Sequence, residues 1–68
     1  MFKILFVTVT MASEPYISSV ENMGVDYGNG SPIYQECTMK VRQRSFTEAG
    51  PRRYYCELQR LDQPKENM

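Results

Sequence analysis

The chain has 68 residues, 41% of them hydrophobic and 24% charged. That bounds it to one domain and argues against wholesale disorder. Net charge is zero and histidine is absent. A strong general attraction to phosphate backbones and histidine-based catalysis are thereby excluded. The charge is polarised along the chain. Residues 1–36 set Lys3 against Glu14, Glu21, Asp26 and Glu36, whereas residues 37–56 set Lys40, Arg42, Arg44, Arg52 and Arg53 against Glu48.

Phe2 to Met11 reads as a strand rich in β-branched and aromatic residues. Leu5, Val7, Val9 and Met11 form one face, and Phe2, Ile4 and Phe6 the other. Apolar residues on both faces predict a strand covered on both sides. The same segment has the outline of a short secretory signal. Its two threonines and its length, below the roughly 15–30 residues of such signals, favour a strand that stays in the fold.

Ser13 to Gly24 reads as a short helix. Ser13 suits the N-cap, Pro15 fits the first turn, and Tyr16, Val20 and Met23 recur at helical spacing. Gly24 stands where a left-handed cap belongs. The β-branched and serine content of YISSV works against this reading. A strand here would convert the fold to a small all-β barrel.

VDYGNGSP is a loop, broken by two glycines, Asn29 and Pro32. Its G-x-G lacks the third glycine and the helix opening of a dinucleotide fingerprint. Ile33 to Phe46 alternates as a strand, with Ile33, Cys37, Met39 and Val41 on one side. After TEAGP, Arg52 to Leu61 alternates again, and the two predicted strands make a long C-terminal hairpin. Residues 63–68 read as a flexible polar tail beyond a single globular domain of residues 1–62.

The expected fold is α+β. Its order is β-α-β-β, with one short helix packed on a three-stranded sheet. The helical crossover makes the first two predicted strands parallel. An apolar side of the first strand is left without a cover, which implies a homodimer or another protein against it.

In the hairpin register, Phe46 faces Arg53, Arg44 faces Tyr55, and Arg42 faces Glu57. This places Lys40, Arg42, Arg44, Arg52, Arg53 and Tyr55 on an exposed basic and aromatic surface, the candidate partner-binding residues. With Tyr34 and Phe46 on the same face, the surface could stack bases and hold phosphates. Zero net charge favours a protein partner over nucleic acid.

Cys37 and Cys56 fall on one face but about 20 Å apart along that ladder, at 3.3 Å per residue, too far for a bridge. They read as small buried residues in a reducing, cytoplasmic setting. No C-x-x-C or histidine supplies a zinc site, and the carboxylates are scattered. No catalytic, cofactor or metal residues are assigned, and no run reaches the ~20 apolar residues of a membrane helix.

In size, element order and lack of catalytic residues the chain resembles small phage-encoded proteins that bind and block a host machine, anti-CRISPR proteins among them. The likeness rests on no particular residues. The expected function is a non-catalytic protein-binding module, an inhibitor or adaptor. A nucleic-acid-binding module is the alternative.

Overall fold

A computed structural model describes residues 1–48 and 50–61. The order of elements is β1 (Phe2–Thr10), β2 (Tyr16–Asp26), α1 (Pro32–Thr47) and β3 (Arg52–Arg60). The three strands form one antiparallel sheet in the order β2-β1-β3, with α1 packed on one face. The α+β class and the three strands with one helix agree with the sequence. The tail predicted for residues 63–68 lies outside the described residues.

The first and last strands stand where the alternation placed them. The two middle elements are exchanged. Residues 16–26 are a strand rather than part of a helix over 13–24. Tyr16, Ile17, Val20 and Val25 favour a pleated surface, and serines in the segment compete with a helical backbone. Ser13 caps no helix; it lies in the turn that joins β1 to β2.

Residues 32–47 are a helix rather than the first arm of a hairpin. QECTMKVRQR is rich in good helix formers and lacks glycine and proline. The Ser31 side chain accepts a hydrogen bond from Tyr34 N at 3.2 Å, and Pro32 opens the helix. Serine before proline is a helix start signal, since proline has no N–H to leave unpaired in the first turn. Asp26 secures the entry by accepting from Tyr27 N at 2.9 Å and Ile33 N at 3.2 Å.

The hairpin is therefore N-terminal, between β1 and β2. A strand–helix–strand succession is present as β2–α1–β3, and its two strands run in the same direction on either side of β1. β1 itself is antiparallel to both neighbours, which corrects the parallel pairing expected for the first strand. The helix also excludes the all-β barrel.

The core lies between sheet and helix. Ile4 and Phe6 of β1 meet Cys37 of α1, with Ile33, Val41, Tyr54 and Leu58 packed around them. The N-terminal run that has the outline of a signal is thus the middle strand. Cys37 and Cys56 are joined in a disulfide, with Cα atoms 6.2 Å apart. The 20 Å separation was a consequence of the wrong hairpin. As a helical residue, Cys37 reaches across to β3.

Two bulges shape β2. The register against β1 steps from Gly24 to Asn22 and from Ser19 to Ile17, leaving Met23 and Ser18 as the extra residues. Gly24 adopts φ +136°, and a Cβ there would stand 3.0 Å from Ile33 Cδ1. Only glycine combines this backbone with so close an approach of the helix.

Candidate partner-binding surfaces

The six basic and aromatic candidates lie on more than one surface, because half of them ride on a helix. Lys40 and Arg44, one turn apart, point down onto the sheet. Lys40 Nζ sits 4.8 Å and the Arg44 guanidinium carbon 5.8 Å from the centre of the Phe6 ring. Phe6 also stacks on Tyr54, with centroids 5.6 Å apart and 16° between planes. Lys40 is further engaged by Glu21 of β2 at 2.5 Å. These two cations therefore close the seam between α1 and the sheet, through cation–π contact and an ion pair.

Arg42 lies on the opposite, outer side of the helix. There Met39, Arg42, Gln43 and Phe46 line an open groove of about 450 Å³. Met39 is 65% exposed and Phe46 90% exposed. Positions 39, 42, 43 and 46 follow the i, i+3, i+4, i+7 spacing of a single helical stripe. Alternation had put Phe46 beside Arg53. In the helix it stands clear of the sheet, and a helical reading of the same residues would have found the stripe.

Arg53 and Tyr55 lie on the sheet face away from α1. The ladder sets Val9 between Ile17 and Arg53, Val7 between Val20 and Tyr55, and Leu5 between Asn22 and Glu57. Val7 is only 1% exposed although no helix of the described residues covers this face, because its cross-strand neighbours flank it. Those neighbours are themselves open: Val20 is 53% and Tyr55 41% exposed. Leu5, Val7 and Val9 belong to one of the two apolar faces that the alternation gave the first strand, and α1 packs on the other.

Arg52 stands at the end of β3 where Glu48 meets it at 3.4 Å. The three rings proposed as a stacking platform are dispersed. Tyr34 packs against the core from the helix, Phe46 points outward, and Tyr55 lies on the helix-free sheet face. They share no common plane, so a base-stacking surface loses its geometric support.

Among the described residues no cluster of three or more histidine, cysteine, aspartate or glutamate side chains is placed to hold a metal ion. No helix in the described residues is long and apolar enough to cross a membrane. No protein-family model matches this chain, and no curated protein or solved structure matches it either.

Proposed function

We propose that this chain is a non-catalytic protein-binding module, an inhibitor or adaptor, that docks through the outer stripe of α1. The observation that carries the reading is Phe46, an aromatic side chain 90% exposed on a regular helix beside Met39 and Arg42. Aromatic residues, Met and Arg are the side chains enriched at interface centres. A helix presenting anchors at i, i+3, i+4 and i+7 suits an apolar groove on a partner protein. Arg42 belongs to that contact, whereas Lys40 and Arg44 serve the fold.

The test is paired capture from the source cells with tagged wild-type chain and Phe46→Glu, using Ser45→Glu as the charge control. A protein held by wild type and Ser45→Glu but lost from Phe46→Glu supports the docking stripe. Its purified form should then bind Phe46→Glu at least roughly tenfold more weakly, as expected for a central interface anchor. Equal capture by all three chains removes the assignment.

The helix-free sheet face supports a homodimer as a second contact. A two-fold axis across the strands at the level of Val7 would set Val7 on Val7 and Tyr55 on Tyr55. It would also bring Arg53 of each copy to Glu57 of the other, twice. Two sheets packed face to face lie about 10 Å apart, a spacing that these side chains can fill. Light scattering should then find a dimer that Arg53→Glu weakens and that Arg53→Glu/Glu57→Arg restores. A monomer at millimolar concentration would exclude it.

The disulfide bears on the compartment. The cytoplasm was expected because the cysteines read as unpaired. The Cys37–Cys56 bridge favours an oxidising compartment instead, and with it a partner outside the reducing cytosol.

A further inference from the structure

We infer that the end of the sheet beneath the last turns of α1 is a binding site for a small phosphate monoester. The feature is a cleft of about 410 Å³, framed by Thr10, Tyr16, Ser18, Ser19, Arg44 and Arg52. Thr8 and Tyr54 complete its lining. Its volume is within the range of small-molecule sites. It is distinct from the helix stripe and from the helix-free sheet face, so it goes beyond the docking function proposed above.

The chemistry of the lining selects the ligand. Six of the eight lining residues carry hydroxyls and two carry guanidinium groups, with no carboxylate and no aliphatic side chain among them. A cation would find no anionic ligand there, and an apolar molecule would desolvate the hydroxyls without compensation. An oxyanion is matched on both counts. Guanidinium forks pair with phosphate oxygens through two parallel N–H donors, and hydroxyls add further donors to the remaining oxygens.

The donors are also positioned. Arg44 is held in place over the Phe6 ring, which limits the side-chain freedom that binding would otherwise remove. Arg52 meets Glu48 through a single Nη1–Oε2 contact of 3.4 Å, which leaves the rest of its fork for a ligand. Thr10 donates to Ser18 Oγ at 3.0 Å, and Ser18 donates to the Thr8 carbonyl at 3.2 Å. This chain orders the bulge that β2 makes at Ser18 and uses both O–H protons within the protein, so the donors that face a ligand are the two guanidinium groups and the remaining hydroxyls, Ser19 and Tyr16 among them. The carbonyls at the helix end are turned to other donors: Arg44 O accepts from Glu48 N at 2.8 Å, and Gln43 O accepts from Thr47 Oγ1 at 3.2 Å. They do not compete for the arginines.

The experiment is an NMR titration of the ¹⁵N-labelled full chain with a nucleoside monophosphate, inorganic phosphate and the unphosphorylated nucleoside as separate probes. The expected result is saturable shifts at Thr8, Thr10, Ser18, Ser19 and Arg52 with the monophosphate, weaker ones with inorganic phosphate, and none with the nucleoside. Arg44→Gln and Arg52→Gln should each weaken binding roughly ten- to hundredfold, the range for losing a hydrogen bond to a charged group. Lys3→Gln removes one positive charge at the opposite end of the sheet, where Lys3 stands between Val25 and Gln59, and should leave phosphate binding unchanged. The proposal is overturned if the shifts map elsewhere, if Lys3→Gln weakens binding as much as Arg44→Gln, or if the nucleoside binds as well as its phosphate. Affinity for a single-stranded oligonucleotide that grows with its length would point to nucleic acid and overturn it as well. Wild-type shift mapping decides the location even if a variant fails to fold.

Discussion

Cys37 and Cys56 are 19 positions apart in sequence and are bonded, tying the middle of α1 to the middle of β3. The bridge fastens the helix to a sheet edge that β3 shares with β1 alone. Closing a loop of this length removes conformational freedom from the unfolded chain worth about 3 kcal/mol on the chain-entropy model. A domain of this size has a stability margin of only a few kcal/mol. Reductant should therefore lower the melting temperature by more than roughly 10 °C. The double variant Cys37→Ala/Cys56→Ala should melt low and ignore reductant. Thermal scans by circular dichroism, with and without dithiothreitol, check both, and an unchanged midpoint would show the bridge to be absent in solution.

Phenylalanines 6 and 46 should behave as opposites. Phe6 is buried between sheet and helix under two cations, and Phe6→Ala should cost about 3–5 kcal/mol. Phe46 packs on almost nothing, and Phe46→Ala should stay within about 0.5 kcal/mol of wild type. Urea unfolding of the two variants supplies the comparison. A large loss at Phe46 would mean that it is covered in solution, as by a second copy.

The Lys40–Glu21 pair links α1 to β2 across the seam, with Glu21 more than half exposed. Such a pair contributes up to about 1 kcal/mol and is screened by salt. Glu21→Gln should cost no more than that at low ionic strength, with the difference shrinking towards zero in 1 M sodium chloride, where the screening length is about 3 Å. Denaturant midpoints measured at two salt concentrations read this directly.

Gly24→Ala should be destabilising twice over. The backbone at φ +136° is strained for any residue with a Cβ, and the new methyl meets Ile33. The expected cost is about 1–3 kcal/mol. Ile33→Val removes the Cδ1 atom that the methyl would strike. The double variant should therefore recover the steric part of the loss and keep the backbone part. Complete recovery would show that conformation at Gly24 carries no penalty.

Both outer strands of the sequence reading survive because Phe2–Met11 and Arg52–Leu61 combine alternation with β-branched and aromatic content. The middle of the chain misleads for a definite reason. Cys37 and Val41 are an even number apart, so they satisfy a period of two, and they are also four apart, so they satisfy a helical turn. Ser31-Pro32 and the run of helix formers decide the matter, but only if weighed above alternation. Conversely, Val20 and Met23 are three apart without any helix. The candidate residues inherited that exchange. Arg53 and Tyr55 sit on a predicted strand that exists, and they remain neighbours on the helix-free sheet face. Lys40, Arg42 and Arg44 were read as one face of a strand, and a helix turns Arg42 away from the other two. The cleft was beyond reach of a linear reading, since its lining comes from all three strands and the helix.

The place of β1 in the middle of the sheet sets a timetable. It is made first of the three strands, and Phe2 pairs on one side with Asp26 and on the other with Arg60. The early hairpin is marginal by itself, and it offers Ile4 and Phe6 to water until α1 is made. It then keeps an unpaired edge until the last strand emerges. With Leu61 N donating to Met1 O at 3.2 Å, the two ends of the described chain meet only at completion. Completion of this domain therefore waits on Arg52–Arg60, and the disulfide cannot close before that strand, which carries Cys56, is made.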